Sequence, residues 1–464
     1  MEIVTSINDV LWGYILIALL LGCGLWFTLR MRFVQFRMIP EMFKLLADFG
    51  GAPGKPGEKH ISSFQAFAIS LASRVGTGNL AGVATAITVG GPGAVFWMWM
   101  VALLGAASSF VESTLAQLYK KRGDDCFYGG PAYYIRQGLK MPAFGALVAI
   151  LIILTFSFGF VSVQSNTICA AFEGAFGWSH TGVGIAITLI TLLIIFGGVH
   201  RIAKFSSVVV PFMAIGYVIL ALIVVILNIE ELPAVIETIV SHAFGWKQAL
   251  GGGVGVAMMQ GVRRGLFSNE AGLGSAPNAA ATAHVTHPVK QGLIQALGVF
   301  TDTLLICTCT AFIILFSGVP IDRSTGVVLT QEALSHEMGS MGGVFVALAM
   351  FFFAFSTIIG DYYYGESNLR YLTRSPRMMT VFRLLVGATV LYGSFASLEL
   401  VWNITDLIMG LMGLSNIIAI AFLGKYAYRL LDDYCAQKKA GIKNPVFKRS
   451  SMPDIEKDIE CWEG

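Results

Sequence analysis

Charge is what this sequence has least of. Only 13% of its 464 residues are Asp, Glu, Lys or Arg, 55% are hydrophobic, and the mean hydropathy is +0.71. So few charges cannot cover the surface of a water-soluble fold, so the chain needs lipid around it. Alternating ten-residue strands are absent too, which excludes a membrane barrel; the apolar residues come in blocks about one bilayer long, as helices do. The seven cysteines, at 23, 126, 169, 307, 309, 435 and 461, show no CxxC or other zinc spacing and are odd in number. They read as small apolar residues in a reduced setting. MEIVTSINDV carries no basic n-region or cleavage site, so the first apolar block is expected to stay in the mature protein. No histidine falls at midmembrane: His60, His180, His200, His242, His284, His287 and His336 lie at span ends or in loops, against a histidine proton relay. No metal cluster, nucleophile–base pair or cofactor loop is present, so neither an enzyme nor a cofactor is expected. Lipid is expected around the chain, no nucleic-acid partner is, and a monomer is the simplest assembly.

What is present is a series of apolar stretches long enough to cross a bilayer, near 12–29, 64–88, 93–117, 143–170, 180–198, 205–228, 250–268, 292–316, 342–364, 380–398 and 402–422. The second and third share one uncharged run, divided by Gly90-Gly91-Pro92-Gly93, which reads as a tight turn at the membrane surface. With the amino terminus outside, every Lys and Arg except Lys247, Arg323 and the intramembrane Arg74 falls on the cytoplasmic side. Adding or losing a span would scramble that positive-inside pattern, so eleven spans and a cytoplasmic carboxyl terminus are expected. The domain reading is residues 1–61 as a first helix and loop, 62–228 and 229–424 as two five-helix units, and 425–464 as a mobile tail of little mechanistic use. The Gly count, 52, fits close helix packing and interrupted helices, with no Gly-X-Y period.

Two of the eleven spans should break. Gly76-Thr77-Gly78-Asn79 in the second is a poor helix interior, since glycine loses the most backbone freedom and Asn competes for backbone hydrogen bonds. An unwound segment would offer carbonyls to a cation and, at the next half-helix, N–H groups to a carboxylate. The bland alternative is that Gly76, Gly78 and Gly82 only permit close helix crossing. In the seventh span a break is expected near Gln260-Gly261, after the Gly251-Gly252-Gly253-Val254-Gly255 opening, with Arg263 and Arg264 pairing with Glu270 or reaching the inner surface. The Gly76 break opens the first five helices after the initial one, and the Gly261 break opens the second five. Five helices between them reverse direction, so the two units would be inverted repeats, as in carriers that bind solute at the midplane.

Ser356 and Thr357 in the ninth span are hydroxyls that either cap their own helix or face the first break; oxygen-only coordination would suit Na⁺. No acid lies beside Gly76 in the sequence, so dipoles would hold the cation. Gln164 and Asn166, in the fourth span with Phe158, Gly159 and Ser165, would contact a polar solute or tie helices together. Asp302, Asp361 and Asp406 are further candidates, close to expected span ends.

Gly76-Thr77-Gly78-Asn79-Leu80-Ala81-Gly82-Val83-Ala84, the run from Gly90 to Trp99, Gly129-Gly130-Pro131-Ala132-Tyr133-Tyr134, the run from Gly265 to Pro277, and Tyr362-Tyr363-Tyr364-Gly365-Glu366 together resemble the signatures of the alanine or glycine:cation symporter family. They run in family order from about residue 62 to 425. The resemblance implies an all-α polytopic protein of the bacterial inner membrane, with eleven helices in a five-plus-five inverted repeat similar to the sodium-coupled leucine transporter and one extra N-terminal helix. It would import alanine or glycine with Na⁺. By that analogy the cation is held by Gly76, Asn79, Ser356 and Thr357, and the amino acid by Thr77, Gly78, Asn79, Gln164, Asn166, Gln260 and Gly261. A proton-coupled version using Asp361 or Glu366, and less readily a channel, are the alternatives.

Overall fold

The computed structural model describes residues 2–47, 60–123, 126–245, 253–322 and 324–462. Lys247, Gly251, Gly252 and Arg323 lie outside the described residues. Eight helices there are long and apolar enough to cross a membrane: Ile3–Arg30, Gly93–Leu118, Pro142–Phe176, Gly198–Leu227, Pro288–Phe316, Ser340–Leu372, Pro376–Phe395 and Glu399–Lys439. They are the first, third, fourth, sixth, eighth, ninth, tenth and eleventh of the expected spans. His180–Ile195 is the fifth, and the second and seventh are divided helices. Lipid-facing positions are recognisable as large apolar side chains left bare, such as Leu193 at 69% and Phe212 at 72% exposure; buried polar groups instead gather in the middle of the bundle.

Glycines set how closely the inner helices approach. A Cβ on Gly261 would lie 2.3 Å from the Ala94 carbonyl oxygen, and one on Gly265 would lie 2.7 Å from Val101, so the seventh span rides on the third with almost no side chain between. At the turn between second and third spans, Gly91 takes φ +74° and Pro92 precedes the new helix. Pi-type turns widen three inner helices, at Gly78–Gly82, Ile153–Phe160 and Phe300–Cys307. Such turns free backbone groups and often mark working sites.

Three features depart from the sequence reading. Short helices Leu232–Ala243 and Val327–Met338 lie between spans, and a small hairpin pairs Lys121–Arg122 with Phe127–Tyr128. The carboxyl-terminal tail, expected to be mobile, is docked: Phe447, Met452, Ile455, Ile459 and Trp462 are all buried. Trp462 Nε1 donates to the Gln117 carbonyl (3.0 Å) and the Phe447 N–H to that of Thr286 (2.9 Å). Mixed charge concealed these spaced apolar anchors, whose burial offsets the cost of ordering the segment. The tail thus lies against the end of the third span and the segment that follows the seventh, and Ile61 bridges Ala283 of that segment in parallel.

Candidate functional site

The second span starts with a capping box in which Ser62 and Gln65 exchange side-chain and backbone bonds, and its helix Ser63–Arg74 stops at Val75, whose backbone is extended. Helical bonding resumes at Gly78. Two N–H groups left without helical acceptors are met by side chains: Gly76 N donates to Asn79 Oδ1 (2.8 Å), and Thr77 N to Gln164 Oε1 (2.9 Å). Gln164 Oε1 also accepts from Thr77 Oγ1 (2.6 Å). Glycine is required here by crowding, because a Cβ on Gly76 would sit 2.3 Å from Thr357 Oγ1 and one on Gly78 would sit 3.0 Å from Ser268 Cα. The first break is therefore real, and it gathers Gly76, Thr77, Gly78, Asn79, Gln164 and Thr357.

Thr357 brings the ninth span to this break. Its Oγ1 lies 2.8 Å from the Ala72 carbonyl oxygen, 2.9 Å from that of Phe353 and 3.2 Å from that of Val75. A hydroxyl has one proton, so two of these three oxygens receive none from it. The result is a cluster rich in oxygen and poor in hydrogen, the donor set that hard cations take. Ser356 is placed differently: its hydroxyl is bonded back to Phe353 O (2.9 Å) and faces Met213 of the sixth span. Consecutive residues on a helix diverge by about 100°, so only one of the two hydroxyls reaches the break.

An acid does lie beside the break, supplied by the eighth span. Asp302 Oδ1 accepts from Asn79 Nδ2 (2.7 Å), and its Oδ2 accepts from Ser268 and Thr303 (2.8 Å each). Asn79 thus has both ends of its amide engaged, the oxygen by Gly76 and the nitrogen by Asp302, and serves as the buckle of the break more than as a ligand.

The seventh span breaks later than expected. Its helix runs without interruption through Gln260 and Gly261 to Asn269, and Gly261 is there to pack against the third span. The unwound stretch is Glu270–Ser275, where Glu270, Gly272 and Gly274 take φ of +58°, +81° and +86°, and helix resumes at Ala276. Glycine at two of these three left-handed positions removes the steric penalty. Glu112 of the third span secures the bend by accepting from Gly272 N (3.1 Å), Gly274 N (3.0 Å) and Asn416 Nδ2 (2.8 Å). Gln260 is accordingly nearly three helical turns from the break.

Other candidates find structural partners. Asn166 donates to the carbonyls of Gly393 (3.0 Å) and Ala396 (2.7 Å), tying the fourth span to the tenth. Arg263 and Arg264 pair with neither Glu270 nor the inner surface. Both converge on Asp406 Oδ2 of the eleventh span, at 2.6 and 2.8 Å, while Trp402 lies 4.1 Å beneath the Arg264 guanidinium. Asp361 is buried in mid-helix, not at a span end, and contacts Ser73. A tier of aromatic rings, Phe160 on Phe267 (4.2 Å) and Phe267 on Trp402 (4.6 Å), lies where the fourth, seventh and eleventh spans meet.

The model of the sodium:alanine symporter family matches residues 1–449. The chain belongs to that family. This sodium:alanine symporter family member is 52% identical over 457 residues to the amino-acid carrier protein AlsT of Bacillus subtilis (strain 168), covering 98% of this chain and 96% of that one. It is 51% identical over 462 residues to the probable sodium/glutamine symporter GlnT of the same organism, covering 99% and 96%. In fold it resembles the structure of a Na⁺-coupled sialic acid symporter in a substrate-bound outward-open state, with a TM-score of 0.53, 16% identity, and coverage of 88% of this chain and 85% of that one. As a family member it is a multi-pass membrane carrier and not an enzyme, and Na⁺ is a coupling ion, not a resident cofactor.

Sequence reasoning missed Ser73, Glu112, Ser268 and Glu270 as parts of this centre and placed Asp302 too near a membrane surface. The available signal was their burial cost: an acid inside a bilayer must find several donors, and Ser or Asn residues flanking the glycine-rich breaks were the ones at hand.

Proposed function

We propose that the protein imports a small neutral amino acid, alanine or glycine, together with Na⁺ by alternating access across the bacterial inner membrane. The observation that carries this reading is the proton-poor oxygen cluster around Thr357 at the first break. Na⁺ sits among Thr357 Oγ1 and the carbonyls of Ala72 and Val75, and the amino acid lies beside it against Thr77, Gly78 and Gln164. The crowding of Gly76 and Gly78 by Thr357, Gln164, Ser268 and Phe267 holds the second, fourth, seventh and ninth spans close together at this point. Each break opens a run of five helices, which supports two inverted units, 62–228 and 229–424, after an extra first helix; the basic clusters support an outer amino terminus and an inner carboxyl terminus. Ion and solute favour one another's binding, a reciprocal coupling that lets the Na⁺ gradient drive uptake.

Substrate-dependent uptake of radioactive sodium by purified protein in liposomes tests cargo and ion together. Alanine or glycine should stimulate it, and alanine uptake indifferent to Na⁺ but driven by a proton gradient would overturn the sodium assignment. Glutamine is the competing cargo, because GlnT carries that name; it should compete with labelled alanine far less well than glycine does.

A further inference from the structure

A second centre lies one helical turn from Thr357, and the transport reading does not use it. Ser73 of the second span is flanked by two carboxylates from elsewhere in the chain: its Oγ is 2.6 Å from Glu270 Oε1 at the second break and 2.5 Å from Asp361 Oδ1 on the ninth span. All three residues are fully buried. Both separations belong to charge-assisted O–H···O⁻ bonds, each of which needs its own proton. Ser73 has one proton to give. Glu270 Oε2 is already served by Ser275 Oγ (2.6 Å), whereas Asp361 Oδ2 is buried with no hydrogen-bond partner. The other acids of the region contrast with this, since Asp302 and Glu112 each accept three hydrogen bonds.

We propose that Ser73, Glu270 and Asp361 form a proton-binding site that holds one proton on Asp361. The Asp361 O–H donates to Ser73 Oγ, Ser73 O–H donates to Glu270 Oε1, and Asp361 Oδ2 is left as the carbonyl oxygen, which can remain unpaired at less cost than a charged one. A sodium ion fits this gap poorly, because oxygens sharing a metal stand farther apart than 2.5 to 2.6 Å. The titratable and charged groups facing the pair are Arg74 on the second span, Asp302 on the eighth and Tyr364 on the ninth, with Glu112 beyond Arg74. Arg74 directs its two terminal nitrogens elsewhere, to the Gln295 carbonyl (3.0 Å) and Ser109 Oγ (3.1 Å), and so supplies neither carboxylate with a hydrogen bond. The bound proton joins three elements, the end of the first half-helix, the second break and the ninth span, so it resists any movement that separates them. When they part, the proton passes to water and leaves two carboxylates that repel, so rejoining requires its return.

Infrared spectroscopy of the purified protein in lipid, without amino acid, tests this independently of what is transported. Wild-type protein at neutral pH should show the C=O stretch of a buried carboxylic acid, and Asp361→Asn should lose it. Glu270→Gln should shift that band, because the chain of bonds through Ser73 ends on a neutral group. Absence of the band from wild-type protein, or its persistence unchanged in Asp361→Asn, would overturn the proposal; the wild-type measurement decides even if a variant fails to fold. In liposomes, wild-type exchange of amino acid should fall as pH rises through the titration of that band. Asp361→Asn, which keeps a donor toward Ser73, should flatten this profile; a profile that still follows wild type would count against the site, whereas loss of Na⁺ dependence alone would concern only the transport reading.

Discussion

Asn79 donates its amide to Asp302 across 223 residues of sequence, at 2.7 Å. That bond joins the π-type turn after the first break to the π-type turn of the eighth span, and with Ser268 it draws the seventh span into the same knot. Replacing Asp302 by Asn sets an amide against an amide. Hydrogen bonds to a charged group contribute about 1.5–3 kcal/mol, so affinity for the amino acid should fall by roughly tenfold to a hundredfold, measured by isothermal titration in saturating Na⁺.

The two hydroxyls of the ninth span should behave differently. Thr357→Ala is expected to raise the Na⁺ concentration for half-maximal alanine uptake by about tenfold or more, equivalent to a loss of about 1.4 kcal/mol. Thr357→Ser should recover most of it. Ser356→Ala should leave the Na⁺ response near wild type, because that hydroxyl faces Met213. An equal effect of both alanine variants in a Na⁺ titration would remove Thr357 from its special place.

Asp406 is the shared counter-ion of Arg263 and Arg264. Asp406→Asn leaves two buried guanidinium groups facing a neutral amide, and breaking a buried pair costs about 3–5 kcal/mol. A thermal melt should show a marked drop in Tm, and the double variant Arg263→Gln with Asp406→Asn should recover part of it.

The docked tail should respond to pH through Lys120. Its amine donates to Gln117 Oε1 (2.8 Å) and the Ala283 carbonyl (3.0 Å) and lies over the rings of Phe127 and Trp462. Burial nevertheless pushes it down from its usual 10.5 to about 7. A lysine whose docked pKa lies below its free value disfavours docking while it must stay charged, so tail docking should strengthen as pH rises from about 7 towards 10.5. Hydrogen-exchange protection across 445–462, taken relative to the base-catalysed intrinsic rate at each pH, should rise over that window, and Trp462→Ala should lower it at every pH.

Membrane class and helix count were legible because a span must be a long apolar run whatever surrounds it. The first break was legible for a related reason: Gly76, Gly78 and Asn79 are local obstacles to a helix. Gln260-Gly261 misled because glycine serves two ends, close approach and left-handed backbone, and composition does not separate them. At Gly261 it allows approach to Ala94; at Gly272 and Gly274 it allows positive φ. Asp302, Glu112 and Asp406 were opaque for another reason, since the donors that define their roles lie far away in the chain. The tail was misread because sparse anchors such as Phe447 and Trp462 escape an average taken over mixed charge.

The ninth span runs unbroken for 33 residues, a rod about 50 Å long at 1.5 Å per residue. Thr357 and Asp361 sit on it four positions apart, like two teeth cut on one shaft. Any tilt that disengages one tooth carries the other with it, so the stretch 72–75 loses or keeps both contacts together, without a separate messenger between them.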